Sequence, residues 1–152
     1  MSKNRYPKTD RAAIYRAIYE RRDMRHFLPT AIAPEVLLRL LDAAHHAPSV
    51  GFMQPWRFLR ISSPDLRLAI HDLVEQERIS TAKALSQREE EFMKLKVEGI
   101  MECSIVLVAA LCEHREQYIF GRRTMPDMDL ASLSCAIQNI WLAARAEGLG
   151  LG

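Results

Sequence analysis

The chain has 152 residues, 49% hydrophobic and 26% charged, an ordinary globular composition that excludes a disordered polar tract. A chain of this length folds as one domain and buries roughly 68–70% of its unfolded surface. Its 21 Lys+Arg against 19 Asp+Glu leave a net charge of +2, which argues against a dedicated nucleic-acid binder.

The longest apolar run, 105–112, is too short to cross a bilayer, so no membrane partner is expected. The first ten residues are polar and lack a signal core. Cys103, Cys112 and Cys135 are odd in number and read as reduced thiols of a cytoplasmic protein.

The spacing of Ile14, Ala17 and Ile18 predicts a helix over 10–22. It runs into Arg21-Arg22-Asp23-Met24-Arg25-His26-Phe27, closed by Pro29. Pro34 starts a second helix with Leu37, Leu40, Leu41 and Ala44 on its apolar face. A loop over 49–55 carries Gly51 and Pro55, and 56–61 has strand character. Ser63-Pro64 predicts an N-cap and first turn, opening a helix over 64–79. Residues 80–99 are charged and predicted helical, with Glu90 and Lys94 paired at i,i+4. The run 105–112 reads as a strand covered on both faces. After a polar connection, Asp127 or Asp129 caps a long helix carrying Leu130, Leu133, Ile137, Ile140, Trp141 and Ala144. That helix is central or at a subunit interface. Gly148 suits a left-handed residue at its end, and 149–152 looks like the start of another strand. Two strands make a poor sheet for so many helices, so the chain is expected to be a single domain truncated at its C-terminus.

Three segments carry chemistry. Arg21, Arg22 and Arg25 offer planar donor forks that match a phosphate dianion, and a helical turn would bring Arg21 and Arg25 to one face. The alternative is solvated arginines at a helix C-terminus. Asp23 sits among them, where positive charge favours its carboxylate form; it positions an arginine or acts on a ligand proton. Ser49, Gly51 and Gln54 present a hydroxyl, a close-approach backbone and an amide, a set that reads the polar edge of a flat heterocycle; otherwise 48–56 is a connector leading to a core Trp56. Residues 121–128, with Arg122 and Arg123, form a lid over a pocket or a surface connector.

Other chemistries are set aside. Gly148, Gly150 and Gly152 follow a helix, so they are not a dinucleotide-binding fingerprint. His45 and His46 diverge on a helix, and Cys112 with His114 lacks a third ligand, so no metal site is expected.

Taken in order, Arg21–Phe27, Ala47-Pro48-Ser49, Gln54-Pro55-Trp56-Arg57-Phe58 and Glu147-Gly148-Leu149-Gly150 resemble the motifs of the flavin-dependent nitroreductase superfamily. Asp23, standing where that family usually has serine, and the stretch 122–130 resemble its 5,6-dimethylbenzimidazole synthase branch. The resemblance implies an α+β nitroreductase-like fold. It has a mixed, mainly antiparallel sheet flanked by helices and a long central apolar helix.

It also implies a homodimer with FMN at the subunit interface, and a reaction in which reduced FMN and molecular oxygen yield the lower ligand of cobalamin. A separate flavin reductase would supply the reduced FMN. Carried over, Arg21, Arg22 and Arg25 hold the FMN phosphate and ribityl chain. Met24, Ser49 and Gln54 contact the flavin, and Asp23 is catalytic. Lys96, placed on a helix before the buried strand, is a further flavin contact. Family members continue beyond Gly-x-Gly with a strand and a segment that packs on the partner. The rival readings are an NAD(P)H-dependent nitroreductase or flavin reductase, and a non-catalytic FMN-binding fragment.

Overall fold

The structure is a computed structural model and describes residues 4–112 and 124–152. The elements are α1 (Lys8–Glu20), α2 (Pro34–His45), β1 (Trp56–Ile61), α3 (Pro64–Leu85), α4 (Glu89–Met93), α5 (Gly99–Glu102), β2 (Val106–Leu111) and α6 (Met128–Ala146). Single 3-10 turns lie at Val50–Phe52 and Ser86–Arg88. The chain divides into two compact units. One comprises 1–23, 34–55 and 111–151; the other comprises 24–33, 56–110 and Gly152.

In the first unit α6 is the spine. Its buried residues Leu133, Ala136, Ile140 and Ala144 recur at helical spacing, with Leu40 and Ala44 of α2 buried in the same unit. Both α1 and α2 pack on α6. The Asn139 amide donates to the Ala43 carbonyl oxygen at 2.9 Å, which fixes the α2–α6 register. The central-helix expectation for α6 holds. Asp127 takes its N-cap position, but its side chain accepts no helix N–H. At the other end Gly148 is left-handed (φ +77°) and Leu149 N–H reaches the Ala144 carbonyl at 2.8 Å, closing the helix in a Schellman motif.

In the second unit β1 and β2 form a two-stranded sheet. Cys112 N–H donates to the Pro55 carbonyl at 2.9 Å, so the end of β2 lies beside the start of β1 and the pair is antiparallel. The Arg67 guanidinium donates to the Cys103, Ser104 and Ile61 carbonyls at 2.7, 3.1 and 3.3 Å, tying together the chain leaving β1 and the chain entering β2. Ser63 Oγ accepts from Leu66 N–H with Pro64 in the first turn, so α3 starts as predicted.

Three local expectations are corrected. The helix α3 runs on to Leu85 instead of ending near 79, because Thr81-Ala82-Lys83-Ala84-Leu85 contains no breaker; it stops where Ser86 takes a positive φ of 45°. The charged stretch that follows is broken into a 3-10 turn and the short α4, and Arg88 pairs with Glu91, not Glu90 with Lys94. The strand β2 is only half-buried, with Val108 exposed, because a two-stranded sheet offers too little neighbouring structure to cover both faces.

No helix among the described residues is long and apolar enough to cross a membrane.

Candidate functional site

The arginine segment is not helical. Arg22 donates from one terminal nitrogen to the carbonyls of Tyr19 and Arg21, both at 2.7 Å. These bonds satisfy groups that a continuing helix would need, so α1 ends at Glu20 and Arg21 turns extended (ψ 131°). The helical turn expected to align Arg21 with Arg25 is therefore absent.

Extended backbone has a period of two, and that places Arg21 and Asp23 together. Arg21 Nη1 donates to Asp23 Oδ1 at 2.8 Å. The Arg21 guanidinium carbon also lies 4.7 Å from the ring centroid of Trp141, in cation–π contact with α6. Asp23 is held in an isolated parallel bridge with Leu151. The predicted strand start at 149–152 is thus seen as this single pairing. The helices and the β1–β2 pair give the α+β class expected.

In the same unit the loop before β1 is built by side-chain bonds. Ser49 Oγ accepts from Gln54 N–H at 3.0 Å, and the Gln54 amide nitrogen donates to the His45 carbonyl at 2.9 Å. Gly51, Phe52 and Gln54 all have positive φ (55°, 55° and 47°), and Phe52 projects 82% exposed. Two non-glycine residues in this region mark a strained loop of the kind found at ligand sites. Val50 N–H donates to the buried Ser132 Oγ at 3.1 Å, which anchors the loop on α6. The structure therefore brings Ser49 and Gln54 together and, among the described residues, leaves the Ser49 hydroxyl proton and the Gln54 amide oxygen available.

In the second unit Met24 is partly exposed, and Arg25 is exposed with its guanidinium uncommitted among the described residues. A Cβ on Gly152 would collide with the Met24 carbonyl, so the chain passes closest there at a residue without a side chain. Lys96 lies in the connection between α4 and α5, not on a helix. Arg78 caps the end of α4 by donating to the Met93 and Leu95 carbonyls, both at 2.8 Å. Lys96 Nζ donates to both Glu102 carboxylate oxygens at 2.7 Å and lies 3.3 Å from His26 Nδ1.

Sequence reasoning missed Trp141 and Ser132. Helical periodicity places both on α6, but nothing in that spacing says that an indole face meets Arg21 or that a serine hydroxyl meets Val50. Gly121, Arg122, Arg123 and His114 lie outside the described residues. Among the described residues no three His, Cys, Asp or Glu side chains gather to hold a metal ion.

The nitroreductase family profile matches residues 18–152. A 5,6-dimethylbenzimidazole synthase from Rhodospirillum rubrum is 40% identical over 134 residues, covering 87% of this chain and 64% of the relative. One from Rhodobacter capsulatus is 37% identical over 151 residues, covering 97% of this chain and 72% of the relative. The chain thus spans about two thirds of the length of these relatives. The fold is shared with an iodotyrosine deiodinase solved with FMN and 3-iodo-L-tyrosine (TM-score 0.72, 22% identity, 90% of this chain and 71% of that one). It is also shared with a BluB-like flavoprotein from Clostridium difficile 630 (TM-score 0.64, 18% identity, 90% and 71%). With the arginine segment, the Gln-Pro-Trp loop and the Gly-x-Gly helix end all falling inside the matched region, the chain belongs to the nitroreductase family.

Proposed function

We propose that the protein is a flavin-dependent oxidoreductase that acts as a 5,6-dimethylbenzimidazole synthase, using reduced FMN and molecular oxygen. The observation that carries this reading is Asp23. It stands where the family motif usually has serine, and it is held in place by Arg21 at 2.8 Å. The two synthase relatives at 37–40% identity support the same branch.

The donor chemistry suits FMN. Arg25 has an uncommitted guanidinium, and Arg22 keeps donors beyond the nitrogen that binds the helix carbonyls. These two arginines would hold the phosphate and ribityl chain, with a fork geometry that fits a dianion. Ser49 and Gln54 would contact the flavin's polar edge with one donor and one acceptor. Met24 would pack as an adaptable apolar contact. Lys96, paired with Glu102, is proposed as a further flavin contact on the family resemblance. When bound, FMN supplies a ring system that serves as both the electron source and the substrate broken apart.

Among the described residues Asp23 is bonded at its side chain through Oδ1 alone, which leaves Oδ2 able to accept a proton or a hydrogen bond. Arg21 orients that carboxylate through this bond.

The protein works as a homodimer in this reading. In the single chain α1 buries no residue, and Ile14, Tyr15, Ile18 and Tyr19 are exposed along it. A separate flavin reductase supplies reduced FMN. The free thiols Cys103, Cys112 and Cys135 suit a cytoplasmic setting.

The test is incubation with reduced FMN and dioxygen, with mass spectrometry for the benzimidazole. Product that disappears in Asp23→Ser supports the reading. Clean flavin reoxidation without a ring fragment, together with steady NAD(P)H turnover on a quinone or nitroaromatic, would replace it with the nitroreductase alternative.

A further inference from the structure

A buried, unpartnered donor belongs to the ring that carries Arg21, the partner of the proposed catalytic aspartate. The Trp141 indole Nε1 is buried with no hydrogen-bond partner among the described residues. An orphaned N–H is a liability that phenylalanine or leucine would remove at once. The indole therefore serves this position through its face. That face carries the Arg21 guanidinium carbon at 4.7 Å, well inside cation–π range, and tryptophan is the strongest aromatic partner for a cation.

A guanidinium laid on a ring keeps its in-plane donors free. Arg21 uses one of them on Asp23 Oδ1 at 2.8 Å. The backbone of Asp23 is separately fixed by its bridge to Leu151. Contacts run stepwise from α6 to the carboxylate: indole ring to guanidinium, guanidinium to carboxylate oxygen. Arg21 is 31% and Asp23 51% exposed at the side chain, so without the indole both would sample other rotamers in solvent.

We infer that Trp141 is a positioning residue: its ring fixes the plane of Arg21, and Arg21 in turn fixes the direction of the Asp23 carboxylate. This rests on the synthase reading for the role of Asp23, but not for the geometry itself. It also gives Arg21 a different task from Arg22 and Arg25, since Arg21 serves the carboxylate and the others serve the phosphate.

The test compares the parent chain with Trp141→Leu and Trp141→Phe by two readouts. The first needs no cofactor: the Arg21 side-chain N–H and methylene resonances are shifted upfield by the indole ring current. Trp141→Leu is expected to abolish that shift. The second is the split between FMN affinity and rate. Trp141→Leu is expected to leave FMN affinity unchanged while benzimidazole formation falls by about 10²-fold, the scale of loss for a misplaced catalytic group. Trp141→Phe, with a weaker aromatic face, is expected to show a smaller loss of both shift and rate.

Unchanged Arg21 resonances in Trp141→Leu would overturn the inference, as would FMN affinity falling in step with rate. If Trp141→Leu does not fold, Trp141→Phe decides: unchanged resonances and rate overturn it. If the parent chain makes no benzimidazole, the synthase reading fails, and the Arg21 resonances still decide whether Trp141 sets the guanidinium.

Discussion

Arg39 of α2 grips Glu147, the first residue past α6, through two hydrogen bonds: Nε to Oε1 at 2.7 Å and Nη2 to Oε2 at 3.0 Å. The pair ties α2 to the Gly-x-Gly end of the spine. The hydrogen bond from Arg39 holds the Glu147 carboxyl below the usual glutamate range, with its positive charge adding to the effect and desolvation opposing it. A carboxyl depressed in the folded state contributes stability above its unfolded pKa and loses it as pH falls through the folded value. The melting temperature of the parent chain should therefore drop more steeply than that of Glu147→Gln as pH is lowered through the glutamate range. Parallel curves would show that the pair contributes nothing. Arg39 is 54% exposed, so the gap between the curves should be small and should shrink in high salt.

Ser132 links α6 to the strained loop. Its Oγ accepts from Val50 N–H at 3.1 Å and donates to the Met128 carbonyl at 2.6 Å, and the residue is buried. Ser132→Ala should leave Val50 N–H without its partner and cost about 1–3 kcal/mol in urea unfolding. The midpoint should move with little change in m-value. A variant as stable as the parent would mean that the loop does not depend on this anchor.

How far the sequence revealed this depends on the range of the forces involved. Short-range signals read correctly. Ser63-Pro64 starts α3, Gly148 takes the left-handed turn, β1 spans 56–61, and the buried face of α6 follows its apolar spacing. Helix ends set by distant or backbone-directed side-chain bonds did not. Arg22 stops α1 by binding carbonyls, and Arg78 caps α4 from across the unit and so leaves Lys96 off any helix. At the candidate site, residue types left Arg21, Asp23, Ser49 and Gln54 open between ligand contacts and ordinary surface or loop residues, and the family resemblance tipped them to candidates. The pairing of Arg21 with Asp23 instead of with Arg25 needed the extended backbone, and the indole beneath Arg21 lies 120 positions away in sequence. No local pattern carries that contact.

Gly99 begins α5 against the ring of Phe27. A Cβ built there would come within 2.8 Å of Phe27 Cε2 and 2.9 Å of Cδ2, closer than the ring can accept without moving. Gly99→Ala should cost about 1–3 kcal/mol by overpacking, read from thermal or urea unfolding. Shortening the ring with Phe27→Leu should recover part of that loss in the double variant. Strict additivity of the two changes would show that the ring and the glycine do not share this space.

The arginines should separate by task. Arg25 is uncommitted among the described residues, whereas Arg22 closes the end of α1 through the Tyr19 and Arg21 carbonyls. Arg25→Ala should weaken FMN binding by about 1.5–3 kcal/mol, the scale of a hydrogen bond to a charged group, roughly tenfold or more in dissociation constant. Its effect on unfolding should be within about 0.5 kcal/mol, as for other exposed surface changes. Arg22→Ala should instead lower the melting temperature of the protein without FMN, because the carbonyls of Tyr19 in the last turn of α1 and of Arg21 just past it lose their donor. The two measurements needed are FMN titration by flavin fluorescence and thermal unfolding in its absence. If Arg25→Ala binds FMN as tightly as the parent, its free guanidinium is a solvated surface charge, and the phosphate must be held elsewhere.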